Sequence, residues 1–202
     1  MHGITLEPPF RRATPDDAHA LAELINFAGE GLPSYLWQQM AEPGESVWDV
    51  GRRRARREEG GFSYRNAVVL EKDGQVAACL IGYPLPEEPE PTDYDRMPAM
   101  FVPMQELENL APGTWYVNVL ATYPEHRGSG HGTRLLELAE RLATAAGSRG
   151  LSIIVSNANA GARRLYERCG YRVAAERPMV KESWENAGTS WVLLLKPARD
   201  GG

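Results

Sequence analysis

Apolar positions recur along this chain with two different periods, and the alternation between them predicts a mixed α/β fold. Residues 10 to 13 predict a first strand, and Thr14-Pro15-Asp16-Asp17 predicts the start of a helix. In that tetrad, threonine can cap, proline fits the first turn, and the second aspartate completes a capping box. Apolar residues then recur at helical spacing over residues 18 to 28, and Gly29 and Gly31 indicate where this helix ends.

A second pair of patterns predicts another helix and a hairpin. Residues 46 to 58 have helical spacing, although Gly51 weakens that prediction. The apolar runs at 67 to 71 and 75 to 83 are separated by Lys72-Asp73-Gly74. An Asp-Gly pair between two such runs is typical of a β-hairpin.

Residues 84 to 113 show neither the helical nor the strand spacing of apolar residues. This segment is rich in proline and acidic residues, and it predicts an irregular insertion with one short helix around Met97 to Leu110. It is too long for a bare connection in a compact domain, so we expect it to be functional or mobile.

The second half of the chain alternates strands and helices. Strands are predicted at 114–122, 151–156, 171–175 and 189–196, and helices are predicted from the glycine-containing loop to Gly147 and from Asn159 to Gly170. The 151–156 run is continuously apolar, which is typical of a strand buried on both faces. The whole order predicts a mixed α/β sheet with helices on both faces.

Composition limits the classes of protein. The 202 residues suffice for one domain, or for one domain with an insertion, and the net charge of −5 argues against nucleic acid as the main partner. No apolar segment is long enough to cross a bilayer, and the N-terminus has no apolar signal core. Cys79 and Cys169 form neither a disulfide framework nor a metal-ligand pattern. We therefore expect a cytoplasmic enzyme without a membrane partner.

Two runs of like charge admit two interpretations each. Arginines occupy positions 52, 53, 54, 56 and 57, and residues 87–95 (EEPEPTDYD) are acidic. Either run is most simply a solvated face. The arginines would otherwise contact an anion or an acidic partner, nucleic acid included, and the acidic run would attract a cationic amine.

The candidate chemistry lies at residues 119–133, which read VLATYPEHRGSGHGT. The order is a strand, a loop with three glycines and one arginine, and the first turn of a helix. The glycines lie two residues apart, which does not fit the G-x-G-x-x-G dinucleotide pattern, and no lysine completes a triphosphate loop. What remains is a backbone cradle at a helix N-terminus, which suits a pyrophosphate.

This segment resembles the acetyl-CoA pattern of the GNAT acetyltransferase superfamily, [Arg/Gln]-x-x-Gly-x-[Gly/Ala] after a strand. Residues 159–171 (NAGARRLYERCGY) resemble the family's Asn-x-x-Ala-x-x-Leu-Tyr-x-x-x-Gly-[Phe/Tyr] block. Two motifs in the expected order are far more specific than either alone. The close match covers residues 114–173. The resemblance implies one GNAT-like domain over residues 1–202, with a mostly antiparallel sheet and the insertion at about 84–113.

The resemblance also implies roles for single residues, with acetyl-CoA as the co-substrate and no metal. The pyrophosphate would be held by backbone N–H groups of Arg127, Gly128, Ser129, Gly130, His131, Gly132 and Thr133. Leu120 and Thr122 would bind the pantetheine arm through main chain, and an N–H near Leu120 or Ala121 would face the thioester oxygen. Asn159 would bind the pantetheine, and Tyr166 would protonate the departing thiolate.

Structural interpretations compete with these roles. Asn159 is also a good helix N-cap, and Tyr166 lies on an apolar helix face. Cys169 is expected to be a small buried residue, and His126 and His131 to be exposed loop residues.

The general base has no clear candidate. Tyr116 and Asn118 occupy the positions that face the same side as Leu120, but neither is a good base at neutral pH. Ordered water, Glu30 or a carboxylate of the insertion would have to take the proton, so the base stays unassigned.

Two functions follow. The first is an N-acetyltransferase that transfers the acetyl group of acetyl-CoA to a primary amine by direct attack in a ternary complex. The alternative is a non-catalytic acyl-CoA sensor or regulatory module on the same fold. The acceptor, a small molecule or a peptide, and the acyl-chain preference stay open. A homodimer is common among similar proteins.

Overall fold

The computed structural model describes residues 4–89 and 91–198. In this part of the chain there are seven strands, β1 (Phe10–Arg12), β2 (Ala67–Lys72), β3 (Gln75–Pro84), β4 (Trp115–Thr122), β5 (Gly150–Ser156), β6 (Arg172–Pro178) and β7 (Ser190–Pro197). The α-helices are α1 (Ala18–Ala28), α2 (Leu32–Met40), α3 (Val47–Ala55), α4 (Val102–Glu108), α5 (His131–Ala145) and α6 (Ala160–Arg168).

The strands are hydrogen-bonded in the order β1-β2-β3-β4-β5-β7-β6. The β1–β2, β2–β3, β5–β7 and β6–β7 pairs are antiparallel, and the β4–β5 pair is parallel. The predicted mixed, mostly antiparallel α/β fold is therefore confirmed.

The chain divides into two compact units, and the first comprises residues 4–83 and 118–138. Its core contains apolar residues of α1, of β2 and β3, and of the second half of β4 (among them Leu21, Leu24, Ile25, Val69, Ile81 and Val119). The β2–β3 hairpin turns at Asp73 and Gly74, whose φ angles of 53° and 76° are both positive, as a type I′ turn requires. The capping box between Thr14 and Asp17 is present and confirms the predicted helix start.

The second unit comprises residues 84–117, apart from Glu90, and residues 139–198. Here β5 pairs with β7 along its whole length, and α4 packs on β6 and β7. The ends of the 84–113 segment are joined: Leu85 N–H donates to Thr114 O at 2.8 Å and Gly113 N–H donates to Pro86 O at 2.7 Å. The segment contains the predicted short helix as α4, preceded by a 3-10 turn at Tyr94–Arg96.

Two helix predictions need correction. Helix α2 was not predicted, because two glycines precede it and a proline lies in its first turn. Only two of its residues, Leu32 and Trp37, are buried, so it shows no clear apolar face. The helix predicted over residues 46–58 is shorter, from Val47 to Ala55. Ser46 caps its start by accepting from Asp49 N–H, and the chain after Ala55 turns away.

The prediction of a single domain over residues 1–202 stays a prediction, and residues 1–3, 90 and 199–202 lie outside the described part. Among the helices described, none reaches the length and apolar character that crossing a membrane requires.

The packing around Gly51 explains why α3 contains a glycine at this position. It is buried, and a Cβ at this position would come within 2.6 to 2.9 Å of three ring atoms of Trp37 on α2. Trp37 in turn packs edge-on against Trp48, with ring centroids 6.1 Å apart. The contact between α2 and α3 therefore needs a residue without a side chain at position 51.

We predict that Gly51→Ala lowers the free energy of unfolding by about 1 to 3 kcal/mol, because overpacking against Trp37 outweighs the better helix propensity of alanine. The matched control is Gly161→Ala in α6, where the nearest atom to a new Cβ is 3.9 Å away. This control should be neutral or stabilising by up to about 1 kcal/mol. Denaturant unfolding measures both. Equal effects of the two substitutions would contradict the packing argument.

Candidate functional site

The loop between β4 and α5 contains two glycines in left-handed backbone conformation. Gly128 has φ +76° and Gly130 has φ +79°. A Cβ at either position would meet no atom within 4 Å, so space is not what requires glycine there. The requirement is conformational, because residues with a Cβ rarely adopt positive φ. These two residues turn the chain from the 3-10 turn at Pro124–His126 into α5.

The turn leaves a row of backbone amides without partners. The N–H groups of residues 128–133 donate to no group among the described residues, and the first hydrogen bond of α5 runs from Arg134 N–H to Gly130 O at 3.2 Å. Unpaired amides at the start of a 15-residue helix carry partial positive charge and favour an anion. The predicted pyrophosphate cradle therefore has the donors that it needs.

Arg127 lies at the edge of this loop and is exposed. Its Nε donates to the carbonyl oxygen of Thr122 at 3.3 Å. This bond occupies the Thr122 carbonyl and leaves the terminal guanidinium nitrogens for an anion.

The second half of β4 has one buried and one half-exposed face. Val119 and Ala121 are buried, whereas Asn118, Leu120 and Thr122 are half-exposed. The main-chain direction follows from a contact with β3, in which Tyr123 N–H donates to Ala77 O at 3.0 Å. The Ala121 amide, two residues earlier, faces the same way and lies beside Cys79.

Amide directions alternate along a strand, so the N–H groups of Leu120 and Thr122 point away from β3. The parallel ladder that joins β4 to β5 pairs residues 115 to 117. Leu120 is therefore the better of the two predicted donors to a thioester oxygen, because the Ala121 amide is directed at Cys79. Burial raises the pKa of the Cys79 thiol to about 12, so this thiol is neutral at physiological pH.

The two loop histidines differ from the prediction that they are exposed. His131 is only 9% exposed, and His126 is half-buried. Both ring nitrogens of His131 and Nδ1 of His126 are buried without a hydrogen-bond partner among the described residues. Their rings lie edge to face, with centroids 6.4 Å apart.

Asn159 and Tyr166 belong to the second unit, and α6 positions both. The Oδ1 of Asn159 accepts from Ala162 N–H at 3.1 Å, so the N-cap interpretation is confirmed. The cap uses the oxygen and leaves the amide nitrogen of Asn159 without a bond to the described residues. Capping and a role in binding are therefore compatible.

Tyr166 is 5% exposed, and its ring centroid lies 6.0 Å from that of Tyr171. The end of α6 is held by Lys196, whose Nζ donates to the carbonyl of Cys169 at 2.6 Å and pairs with Glu140. Burial raises the pKa of the Tyr171 phenol, whose oxygen has no partner among the described residues.

Some charges of the two runs pair with neighbouring residues of opposite charge. Arg52 pairs with Asp49 at 2.6 Å, Arg53 pairs with Glu45 at 3.0 Å, and Glu87 of the acidic run pairs with Arg149 at 2.5 Å. Glu90 of that run lies outside the described residues. These contacts support the simpler interpretation of each run as a solvated face.

Neither predicted base position offers a base. Tyr116 is buried, and Asn118 donates through Nδ2 to Gly61 O at 3.3 Å. The described residues contain no group of three or more His, Cys, Asp or Glu side chains that could hold a metal ion. The absence of a metal from the reaction stays a prediction.

One contact of the first unit could not be predicted from the sequence. The Tyr123 hydroxyl donates to Glu23 at 2.5 Å and joins the end of β4 to α1 across 100 residues of sequence. Phe27 packs edge-on against the same tyrosine at 6.0 Å between centroids. This contact fixes the residue that leads from β4 into the glycine loop.

Comparison with known proteins gives a consistent result. The model of the acetyltransferase (GNAT) family matches residues 32–171. S-alkylcysteine N-acetyltransferase of Bacillus subtilis (strain 168) is 27% identical over 132 residues, which make up 65% of this chain and 58% of that protein. The chain thus matches less than two thirds of the length of this relative.

Two solved structures share the fold over nearly their whole length. A crystal structure of an acetyltransferase has 20% identity and a TM-score of 0.65, with coverage of 94% of this chain and 99% of that one. The structure of yncA from Salmonella typhimurium, solved with its cofactor acetyl-CoA, has 19% identity, a TM-score of 0.59 and coverage of 96% and 95%.

Proposed function

Because this chain belongs to the acetyltransferase (GNAT) family, we propose that it transfers the acetyl group of acetyl-CoA to a primary amine. The observation that carries the proposal is the row of unpaired amides at residues 128–133, which suits a diphosphate. The acetyl-CoA in the yncA structure supports the same ligand for this fold.

The proposed binding mode uses main chain in the first unit. The amides of the glycine loop hold the diphosphate, and Arg127 adds positive charge beside them. The outward N–H groups of Leu120 and Thr122 bind the pantetheine arm as an added strand would be bound. The Leu120 N–H stabilises the negative charge that develops on the thioester oxygen as the amine attacks.

Two side chains of α6 have roles in the proposed mechanism. The free amide nitrogen of Asn159 donates to a pantetheine carbonyl. When the bond between carbon and sulfur breaks, the Tyr166 hydroxyl gives its proton to the sulfur, so that CoA leaves as a thiol. The group that takes the proton of the acceptor ammonium stays unassigned, since the positions of Tyr116 and Asn118 provide no base.

The alternative is an acyl-CoA sensor without turnover, and the lack of a base at those two positions favours it. Release of free thiol from acetyl-CoA, measured with a panel of primary amines, separates the two functions. Thiol release that depends on an amine supports the transferase. Tight binding of acetyl-CoA without thiol release for any amine would favour the sensor.

We predict that Gly130→Asp weakens binding of acetyl-CoA at least about tenfold, because a carboxylate in the cradle repels the diphosphate and strains the loop. Isothermal titration calorimetry measures the change. The matched control is Gly44→Asp, since Gly44 also has a positive φ of 87° and open space around its Cβ position. Wild-type affinity in the Gly130 variant would show that the cradle is wrongly assigned.

We predict that Tyr166→Phe lowers kcat on the order of a hundredfold with little change in acetyl-CoA affinity, because only proton transfer is lost. Tyr171→Phe is the control, because the Tyr171 hydroxyl lies on the same unit and makes no hydrogen bond to the described residues. This control should keep full turnover. Thiol release provides the rates, and an unchanged kcat in the first variant would end the role of Tyr166 as the acid.

We predict that Asn159→Asp raises the KM for acetyl-CoA severalfold while the free energy of unfolding stays constant. Aspartate keeps the capping oxygen but removes the donor. Asn159→Ala should lose both the capping oxygen and the donor, and its free energy of unfolding should fall by about 1 kcal/mol. Steady-state kinetics and denaturant unfolding measure the two effects. If KM is unchanged in the Asp variant, Asn159 is a cap and nothing more.

A further inference from the structure

We propose that the side chains of His126 and His131 form a proton-linked clamp: binding of the CoA diphosphate draws one proton from solvent onto this pair. The inference rests on the proposed function, since it concerns the same glycine loop. It assigns the two imidazoles a role that is separate from the backbone donors already described.

Both loop histidines have buried ring nitrogens without a partner among the described residues. His131 is the first residue of α5, directly after Gly130, and both of its ring nitrogens are buried without a partner among the described residues. His126 stands at the other side of the glycines with a buried, unpaired Nδ1. Buried polar atoms in native proteins are paired as a rule, and an unpaired one lowers stability. A ligand with acceptor oxygens would pair those ring nitrogens that carry a proton.

The charged side chains that act on His131 are positive. The groups that act on His131 are Arg134 of α5, His126 of the 3-10 turn and Lys72 at the end of β2. Among the described residues, none of these side chains forms a salt bridge with a carboxylate, and the Arg134 guanidinium lies over the Phe10 ring at 5.2 Å. The cluster therefore contains cations and imidazoles without an anion to balance them.

These surroundings determine the protonation state before binding. Burial, together with the positive charges of Arg134 and Lys72, lowers the pKa of His131 below its ordinary value. The imidazole is then neutral at physiological pH. A diphosphate at the adjacent amides reverses the local field, and an imidazolium N–H donates a stronger hydrogen bond to a phosphate oxygen than a neutral one does.

The affinity for CoA should therefore depend on pH. Since the bound state holds the imidazole proton more tightly than the free state, affinity for CoA rises as pH falls through the range between the two pKa values. Uptake of one proton limits this rise to about tenfold per pH unit. The backbone donors alone would give no such dependence.

The test is calorimetric titration of the full chain with CoA between about pH 6 and pH 8, in buffers of different ionisation enthalpy, from which proton uptake is obtained. Uptake of up to one proton per CoA is expected for the wild type. It should be lost in the double variant His126→Asn, His131→Leu, which retains the backbone amides. His19→Asn, at a side chain 69% exposed on α1, is the control and should retain full uptake.

Two further measurements keep the test decisive. Dephospho-CoA, which has the diphosphate but no 3′-phosphate, should give the same uptake, and loss of uptake would overturn the assignment to the diphosphate. Nitrogen-15 NMR of the imidazoles in the wild-type protein should show the pKa of His131 rising on CoA binding.

The outcomes separate the inference from the proposed function. If CoA binds without proton uptake, and neither loop histidine shifts, the clamp is refuted while the cofactor assignment stands. If CoA does not bind at any pH in this range, both fail.

Discussion

Left-handed backbone at Gly128 and Gly130 is the constraint on which the candidate site depends. These two residues turn the chain at the end of β4 so that α5 begins with its first amides unpaired. Because helix amides otherwise have partners after the first turn, a row of six unpaired N–H groups arises only where a helix start is combined with an open loop. Arg127, at the edge of this row, is exposed and reaches back to Thr122 through its Nε.

The rest of the first unit holds this loop in place. The Tyr123 phenol is fixed to Glu23, and its amide is fixed to Ala77, so the residue before the 3-10 turn is held from two sides. Val119 and Ala121 anchor β4 in the core, which leaves Leu120 and Thr122 on the half-exposed face. The same alternation directs the Leu120 amide away from β3. A site built mainly of main chain needs this rigid support, because main-chain donors cannot change rotamer to meet a ligand.

Local patterns were predictable from the sequence where one short segment determines the outcome. The hairpin follows from Asp73-Gly74, the N-cap from Asn159, and the glycine loop from its spacing. Helix α2 was missed because its packing on Gly51 of α3 is a tertiary contact with no periodic signal.

The burial of His131, the contact of Ala121 with Cys79 and the bond from Tyr123 to Glu23 were unpredictable for a related reason. Each depends on residues from distant segments that only the fold brings together. The base stays unassigned because neither Tyr116 nor Asn118 has the chemistry for it.

The central claim is that backbone amides of the glycine loop bind the diphosphate of acetyl-CoA. The most direct measurement is a titration of nitrogen-15-labelled protein with CoA, followed by the backbone amide signals of residues 128–133. Large downfield shifts concentrated at these amides, with smaller changes at the amides of Leu120 and Thr122, are the predicted result. Saturable binding that leaves the 128–133 amides unshifted would contradict the account.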